Sequence, residues 1–183
     1  MIGIIGQGFV GNAVYKKFKN FYEVLTYDLD KDKCNSDIEE IVFKCETIFV
    51  CLPTPMSKNG SCDISIIDQT LSSIDLIADN LETFRTIVLK STIPPGTTEK
   101  LNKKFQSLNI VFNPEFLTER NAVKDYDNQK RIILGGPRPA TTELKTIFSK
   151  VFPKAHIIKT DSSHAEMVKY FTNTFLATKV SFA

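Results

Sequence analysis

Short runs of β-branched and other apolar residues alternate along the chain with stretches whose apolar positions recur at helical spacing. The runs at 2–5, 24–27, 47–51, 85–90, 110–112, 132–134 and 156–158 predict strands. Several are apolar at successive positions rather than at every second one, the pattern of strands buried on both faces of a parallel sheet. Between them, Val10, Val14 and Phe18 predict a first helix, and Ile38, Ile41 and Val42 a second. Ile66, Ile67, Leu71, Ile74, Ile77 and Ala78 predict a third, and Leu144, Ile147, Phe148 and Val151 a fourth. Repeated βα units predict an α/β fold, a doubly wound, mainly parallel sheet with right-handed crossovers. Ligands of such sheets bind beyond the carboxyl ends of the strands.

The last segment breaks the alternation. Ser163 followed by Glu166 reads as a capping box that opens a helix. That helix carries Met167, Val168, Phe171, Phe175, Leu176 and Val180 and meets no Gly, Asn or Pro stop before Ala183. The chain therefore reads as cut inside a long helix, the alternative being a frayed terminal helix docked on the domain.

Composition excludes several classes. The 183 residues are 42% hydrophobic and 24% charged, ordinary for a globular protein. Lys and Arg number 23 against 21 Asp and Glu, for a formal charge of +2. That balance argues against nucleic acid or an anionic membrane as partner. No apolar run approaches the roughly 18–20 residues of a membrane span. The opening Met-Ile-Gly-Ile-Ile-Gly lacks the basic start and cleavage site of a signal peptide, so a cytoplasmic location is expected. Cys34, Cys45, Cys51 and Cys62 form no C-x-x-C pair, and His156 and His164 lie far from them, which is no pattern for structural zinc. Reduced thiols are expected, with Cys51 buried in a strand.

Gly6-Gln7-Gly8-Phe9-Val10-Gly11 matches G-x-G-x-x-G. It follows a predicted strand and opens a predicted helix in the first βα unit, which is the context of a Rossmann-like dinucleotide site. Gly6 permits the tight turn, Gly8 lets a pyrophosphate approach the backbone, and Gly11 lets helix and strand pack closely. The helix start offers N–H groups and a positive dipole end to the phosphates. Asp28 ends the second strand, 20 residues past Gly8. An acid there accepts the ribose hydroxyls and repels a 2′-phosphate, which favours NAD over NADP. Lys33 either closes over that ribose or is a surface lysine.

Two turns at strand ends face the same crevice. Leu52-Pro53-Thr54-Pro55 follows the third strand and Lys90-Ser91-Thr92-Ile93-Pro94 the fourth. Hydroxyls of Thr54, Ser91 and Thr92 can bond ribose, nicotinamide or an ordered water, or serve only the turns. Asn113-Pro114-Glu115-Phe116-Leu117-Thr118-Glu119 follows the fifth strand. Glu115 and Glu119 share a face if this segment is helical, and a carboxylate there can hold or activate a water. Lys169 and Asn173 are four apart on the last helix, with Glu166 one turn earlier. Such a pair can stabilise an oxyanion, although spacing alone favours a solvent-facing stripe.

The strings GQGFVG, CLPTP, KSTIPPGTT, NPEFLTERNAVKD, RIILGG and AEMVKYFTNTFLATKVSF, in this order, resemble the UDP-glucose/GDP-mannose dehydrogenase family over nearly the whole chain. The resemblance implies residues 1–160 as a NAD-binding domain and 161–183 as the start of a long helix leading to a middle domain that is absent. Members oxidise the C6 hydroxyl of a nucleotide sugar to a carboxylate with two NAD+, through a cysteine that carries a thiohemiacetal and then a thioester. By that resemblance, Thr92 and Glu115 position and activate the hydrolytic water, and Lys169 and Asn173 stabilise the C6 oxyanion. Phe116, Leu117, Thr118 and Glu119 line the sugar nucleotide, together with Glu115, Lys169 and Asn173, and Glu119 also lies near the nicotinamide. Gly6 to Gly11 (with Gln7, Gly8, Phe9 and Val10), Asp28, Lys33, Leu52, Pro53, Thr54, Ser91 and Thr92 form the NAD side. The NPEF string tilts the substrate towards UDP-glucose or GDP-mannose. The family's nucleophilic cysteine lies in a Gly-rich helix start beyond the helix of Lys169, and none of the four cysteines here has that context. The chain is therefore expected to bind NAD without turning over a nucleotide sugar. A full-length parent is expected to be a homodimer through the long helix and the middle domain. Two other readings remain: a stand-alone NAD-binding regulatory or scaffolding module, and a β-hydroxyacid dehydrogenase domain, against which the NPEFL string argues.

Overall fold

The computed structural model describes residues 1–183. Seven strands form one sheet: β1 (Ile2–Ile5), β2 (Val24–Tyr27), β3 (Thr47–Val50), β4 (Arg85–Leu89), β5 (Leu108–Phe112), β6 (Arg131–Gly135) and β7 (His156–Thr160). Their spatial order is β2-β1-β3-β4-β5-β6-β7. β1 to β5 are mutually parallel; β6 meets β5 antiparallel at Phe112 and Gly135, and β7 runs parallel to β6. The α/β expectation is met, with the reversal at β6 supplying the "mainly" in mainly parallel. The order reverses between β1 and β3, and their carboxyl ends open the ligand crevice.

Seven helices cover the two faces: α1 (Phe9–Phe18), α2 (Ile38–Lys44), α3 (Ser65–Asn80), α4 (Thr97–Lys104), α5 (Ala122–Asp127), α6 (Arg138–Val151) and α7 (Ser162–Phe182). Because strand side chains alternate, β1, β3, β4 and β5 each feed both cores. Ile48, Val50, Ile87, Leu89 and Ile110 pack under α2, α3, α4 and the start of α7 through Ile41, Leu71, Leu101 and Ala165. Phe49, Val88 and Val111 pack on the other face with Phe18, Tyr126 and Phe148 from α1, α5 and α6. No helix is long and apolar enough to cross a membrane.

Helices α4 and α5 were not foreseen. The first has a single apolar face residue, Leu101, among Thr, Glu, Lys and Asn, and the second lasts only 6 residues. The last helix is also capped differently from the expected box. Asp161 is its N-cap, accepting from the His164 N–H at 2.9 Å, and the Glu166 carboxylate turns away to the opening of α4. Cys51 lies one residue beyond β3 and is only partly covered, rather than buried within the strand.

Candidate active site

The turn after β1 is built for close backbone approach. Gly6 has φ +92°, a left-handed conformation open to glycine, and its N–H donates to the Tyr27 carbonyl at 2.8 Å. A Cβ on Gly11 would lie 1.8 Å from the Gly6 carbonyl oxygen, so only glycine lets α1 sit this tightly against the turn. A Cβ on Gly8 would meet nothing within 4 Å: its lack of a side chain keeps space free rather than permitting internal packing. Gly8 and the first turn of α1 border a cleft of about 780 Å³. These features fit a dinucleotide pyrophosphate, which needs open backbone N–H groups at a helix start.

Asp28 stands at the end of β2 and borders the same cleft. Its Oδ2 accepts the Gln7 N–H at 2.5 Å and its Oδ1 the Asp30 N–H at 3.0 Å. The backbone itself thus aims the carboxylate across the glycine turn. Cys34 holds the backbone beneath it, accepting from the Asp28 N–H at 3.0 Å and donating to the Asp28 carbonyl at 2.9 Å. Nothing in the sequence pattern singled out Cys34 for this. Lys33 pairs with Asp30 at 2.8 Å on the surface and lines a neighbouring groove with Gln7, Gly8 and Phe9.

The turns after β3 and β4 close the opposite wall. Leu52, Pro53, Thr54, Ser91, Thr92 and Glu115 line the cleft together with Gly6, Gly8, Phe9 and Val10. Two of the hydroxyls are used within the protein: Ser91 Oγ accepts the Leu52 N–H at 3.0 Å, and Thr54 Oγ1 donates to the Thr92 carbonyl at 2.8 Å. Both bonds tie one strand-end turn to the next.

The NPEF segment is not helical. Residues 113–118 run irregularly out of β5, and a 3-10 turn begins only at Glu119–Asn121. Glu115 and Glu119 therefore do not share a helix face: Glu115 is buried and Glu119 exposed. Pro114 has no N–H to contribute to a helix, and both Glu115 oxygens are engaged otherwise. Oε2 accepts the Leu117 N–H at 2.7 Å, and Oε1 accepts from Lys169 Nζ at 2.9 Å. Lys169 Nζ also donates to the Glu115 carbonyl and lies 5.5 Å from the Phe116 ring centroid. The stripe on α7 is thus divided, with Glu166 and Lys169 buried and Asn173 exposed. Thr118 is held by Asp125, through its N–H at 2.9 Å and its hydroxyl at 2.6 Å. Phe116 and Leu117 line a separate hollow beside α7 with Val168 and Thr172.

Beneath the cleft lies a residue the sequence reading passed over. Lys90 is buried; its Nζ donates to Asn113 Oδ1 at 2.7 Å and lies 5.4 Å from the Tyr126 ring centroid. Asn113 Nδ2 donates in turn to the Ile133 carbonyl at 2.8 Å, so the pair links the ends of β4 and β5 to the middle of β6. Burial, with Lys169 adding to it, pushes the Lys90 ammonium down to about 8. A lysine directly after the apolar run Ile87-Val88-Leu89 was the available signal. Burial also raises the Cys51 thiol to about 12 and the Cys45 thiol to about 11, so neither is poised as a nucleophile.

Residues 23–154 match the sequence model of the UDP-glucose/GDP-mannose dehydrogenase family, NAD binding domain. The chain is 34% identical over 154 residues to the UDP-glucose 6-dehydrogenase TuaD of Bacillus subtilis, covering 80% of this chain and 32% of that protein. It is 31% identical over 159 residues to a GDP-mannose 6-dehydrogenase of Pseudomonas syringae, covering 81% of this chain and 36% of the relative. A crystal structure of a ternary complex of GDP-mannose dehydrogenase from Pseudomonas aeruginosa superposes with a TM-score of 0.86 at 25% identity, over 99% of this chain and 51% of that one. The chain spans between about a third and a half of the length of these relatives. The glycine turn, the aimed Asp28 and the match over most of the sheet agree: the chain belongs to the UDP-glucose/GDP-mannose dehydrogenase family, and it carries that family's NAD-binding domain.

Proposed function

We propose that this chain is the NAD-binding part and one half of the active site of a nucleotide-sugar 6-dehydrogenase, with UDP-glucose the favoured substrate. The buried Lys169–Glu115 pair beside the cofactor cleft carries this reading, because dinucleotide binding alone has no use for it. The NPEF string supports UDP-glucose or GDP-mannose, and the relatives named for UDP-glucose favour the first of the two.

Gly6, Gly8 and the first turn of α1 would hold the pyrophosphate, and Asp28 the adenosine ribose. Bound NAD supplies a hydride acceptor. The chain's own groups do the rest. Lys169 carries a positive charge at the edge of the site, where oxygen charge develops as a C6 alcohol loses its proton, and Asn173 would orient the same oxygen from the next turn. Glu115, its carboxylate oriented from both sides, is the acceptor for a water proton, with the Thr92 hydroxyl as the second partner of that water. Phe116, Leu117, Thr118 and Glu119 would contact the sugar nucleotide as the segment leaves β5, and Lys33 would close over the adenine side.

Of the four cysteines, Cys45 is buried and Cys51 partly covered, the thiols of both held above their ordinary range by desolvation, and Cys34 is hydrogen-bonded to the Asp28 backbone. Cys62 donates to the Thr92 carbonyl. None is offered to a substrate carbon, so the 183-residue chain should bind NAD and leave nucleotide sugars unoxidised. Calorimetric titration with NAD+ and a spectrophotometric assay with UDP-glucose test both halves. Binding without steady NADH formation is expected. Absence of NAD binding, or sustained NADH production by the pure chain, overturns the reading.

A further inference from the structure

One carboxylate carries the side-chain hydrogen bonds that join α7 to α4. Glu166 is 0% exposed, and its oxygens accept three hydrogen bonds from the opening of α4. Oε2 takes the Gly96 N–H at 2.6 Å, and Oε1 takes the Thr98 N–H at 2.7 Å and the Thr98 hydroxyl at 2.6 Å. A helix start leaves its first N–H groups without partners. Here the N-cap is Gly96, at φ +85°, which has no side chain to offer, so the cap comes from a different helix about 70 residues downstream. A carboxylate at that point also meets the positive end of the helix dipole. Beside Glu166, Ala165 occupies the space Gly135 leaves free, since a Cβ on Gly135 would come within 2.4 Å of the Ala165 Cβ.

The cap lies between the two halves of the site. Gly96 ends the turn that begins at Thr92 on the cofactor cleft. One helical turn beyond Glu166, on the same face of α7, Lys169 reaches Glu115. We propose that Glu166 is a positioning residue: it braces the Thr92 turn and the Lys169 helix against each other, and so sets where the Lys169 ammonium stands. The significance of that position rests on the function proposed above; the brace itself is measurable without any substrate.

Site-resolved lysine acetylation, read by mass spectrometry on the whole chain, separates bracing from general stability. Lys169 is 5% exposed and Lys90 2%, so both are protected in the native protein. Only Lys169 depends on the seating of α7; Lys90 stands on β4's end against Asn113. In Glu166→Gln and Glu166→Ala, Lys169 labelling should accelerate on the order of tenfold or more, the weight of hydrogen bonds to a charged group, while Lys90 stays protected. Thr98→Val, which removes only the hydroxyl donor, should accelerate it less and serves if the Glu166 variants fold poorly. Unchanged Lys169 labelling overturns the proposal. So does a parallel rise at Lys90 and Lys169, which would make Glu166 a general stabiliser. Failure of NAD binding in the wild-type chain would overturn the function and leave the labelling result readable.

Discussion

Lys169 Nζ and Glu115 Oε1 stand 2.9 Å apart across 54 residues of chain, with side chains only 6% and 10% exposed. A pair this well covered is costly to break from one side, because the surviving charge is left without a partner. Lys169→Met should therefore destabilise the chain by about 3 kcal/mol, and Glu115→Gln, which keeps hydrogen-bonding capacity, by less. A double variant should cost less than the sum of the two, and denaturant unfolding of all four proteins measures the coupling.

Gly8 and Gly11 should part company under the same substitution. Gly8→Ala places its methyl in open space and should keep the wild-type melting temperature while weakening NAD binding. Gly11→Ala drives its methyl into the Gly6 carbonyl and should lose roughly 1–3 kcal/mol of stability as well as binding. Calorimetric melting and NAD+ titration on the two variants give the contrast; equal melting temperatures would count against this geometry.

Asp28→Ala removes the acceptor aimed across the glycine turn. NAD+ affinity should fall by roughly 10–100-fold, the weight of charge-assisted hydrogen bonds. NADP+ should gain relative to NAD+, because the repelling charge is gone. A wild-type chain that bound NADP+ more tightly than NAD+ would refute the role of Asp28.

Lys90 should leave a signature in the pH dependence of stability. Burial lowers its folded-state pKa from 10.5 to about 8, so between those values the unfolded chain binds more protons and stability rises with pH. Below about 8 the lysine is charged in both states and the cost of burying it is fully present. The raised Cys45 and Cys51 thiols oppose this above their ordinary value of 9.0, since there the unfolded chain is the one that has lost protons. Lys90→Met isolates the lysine. The difference in unfolding free energy between wild type and variant should move in favour of the wild type by up to about 3 kcal/mol as pH rises from 8 to 10.5. A flat difference would mean that Lys90 keeps its ordinary pKa.

The sequence by itself determined the elements whose burial follows a period. All seven strands and the helices of strong apolar periodicity lie where the pattern puts them, because a buried strand or a one-sided helix leaves a regular mark in composition. It determined the glycine turn and Asp28 too, since spacing along one βα unit is a local property. Helices α4 and α5 escaped for the converse reason: their stability comes from what they lean on, not from their own residues. The tertiary structure alone decided the polar interior. Spacing put Glu166, Lys169 and Asn173 on one stripe and allowed Glu115 and Glu119 a common face; the fold buries Glu166, Lys169 and Glu115 and leaves Asn173 and Glu119 exposed. A buried charge is tolerable only where a partner waits, and those partners (Gly96, Thr98, Glu115, Asn113) come from chain segments 23 to 70 residues away. No window along the sequence contains both members of such a pair, so only packing could join them.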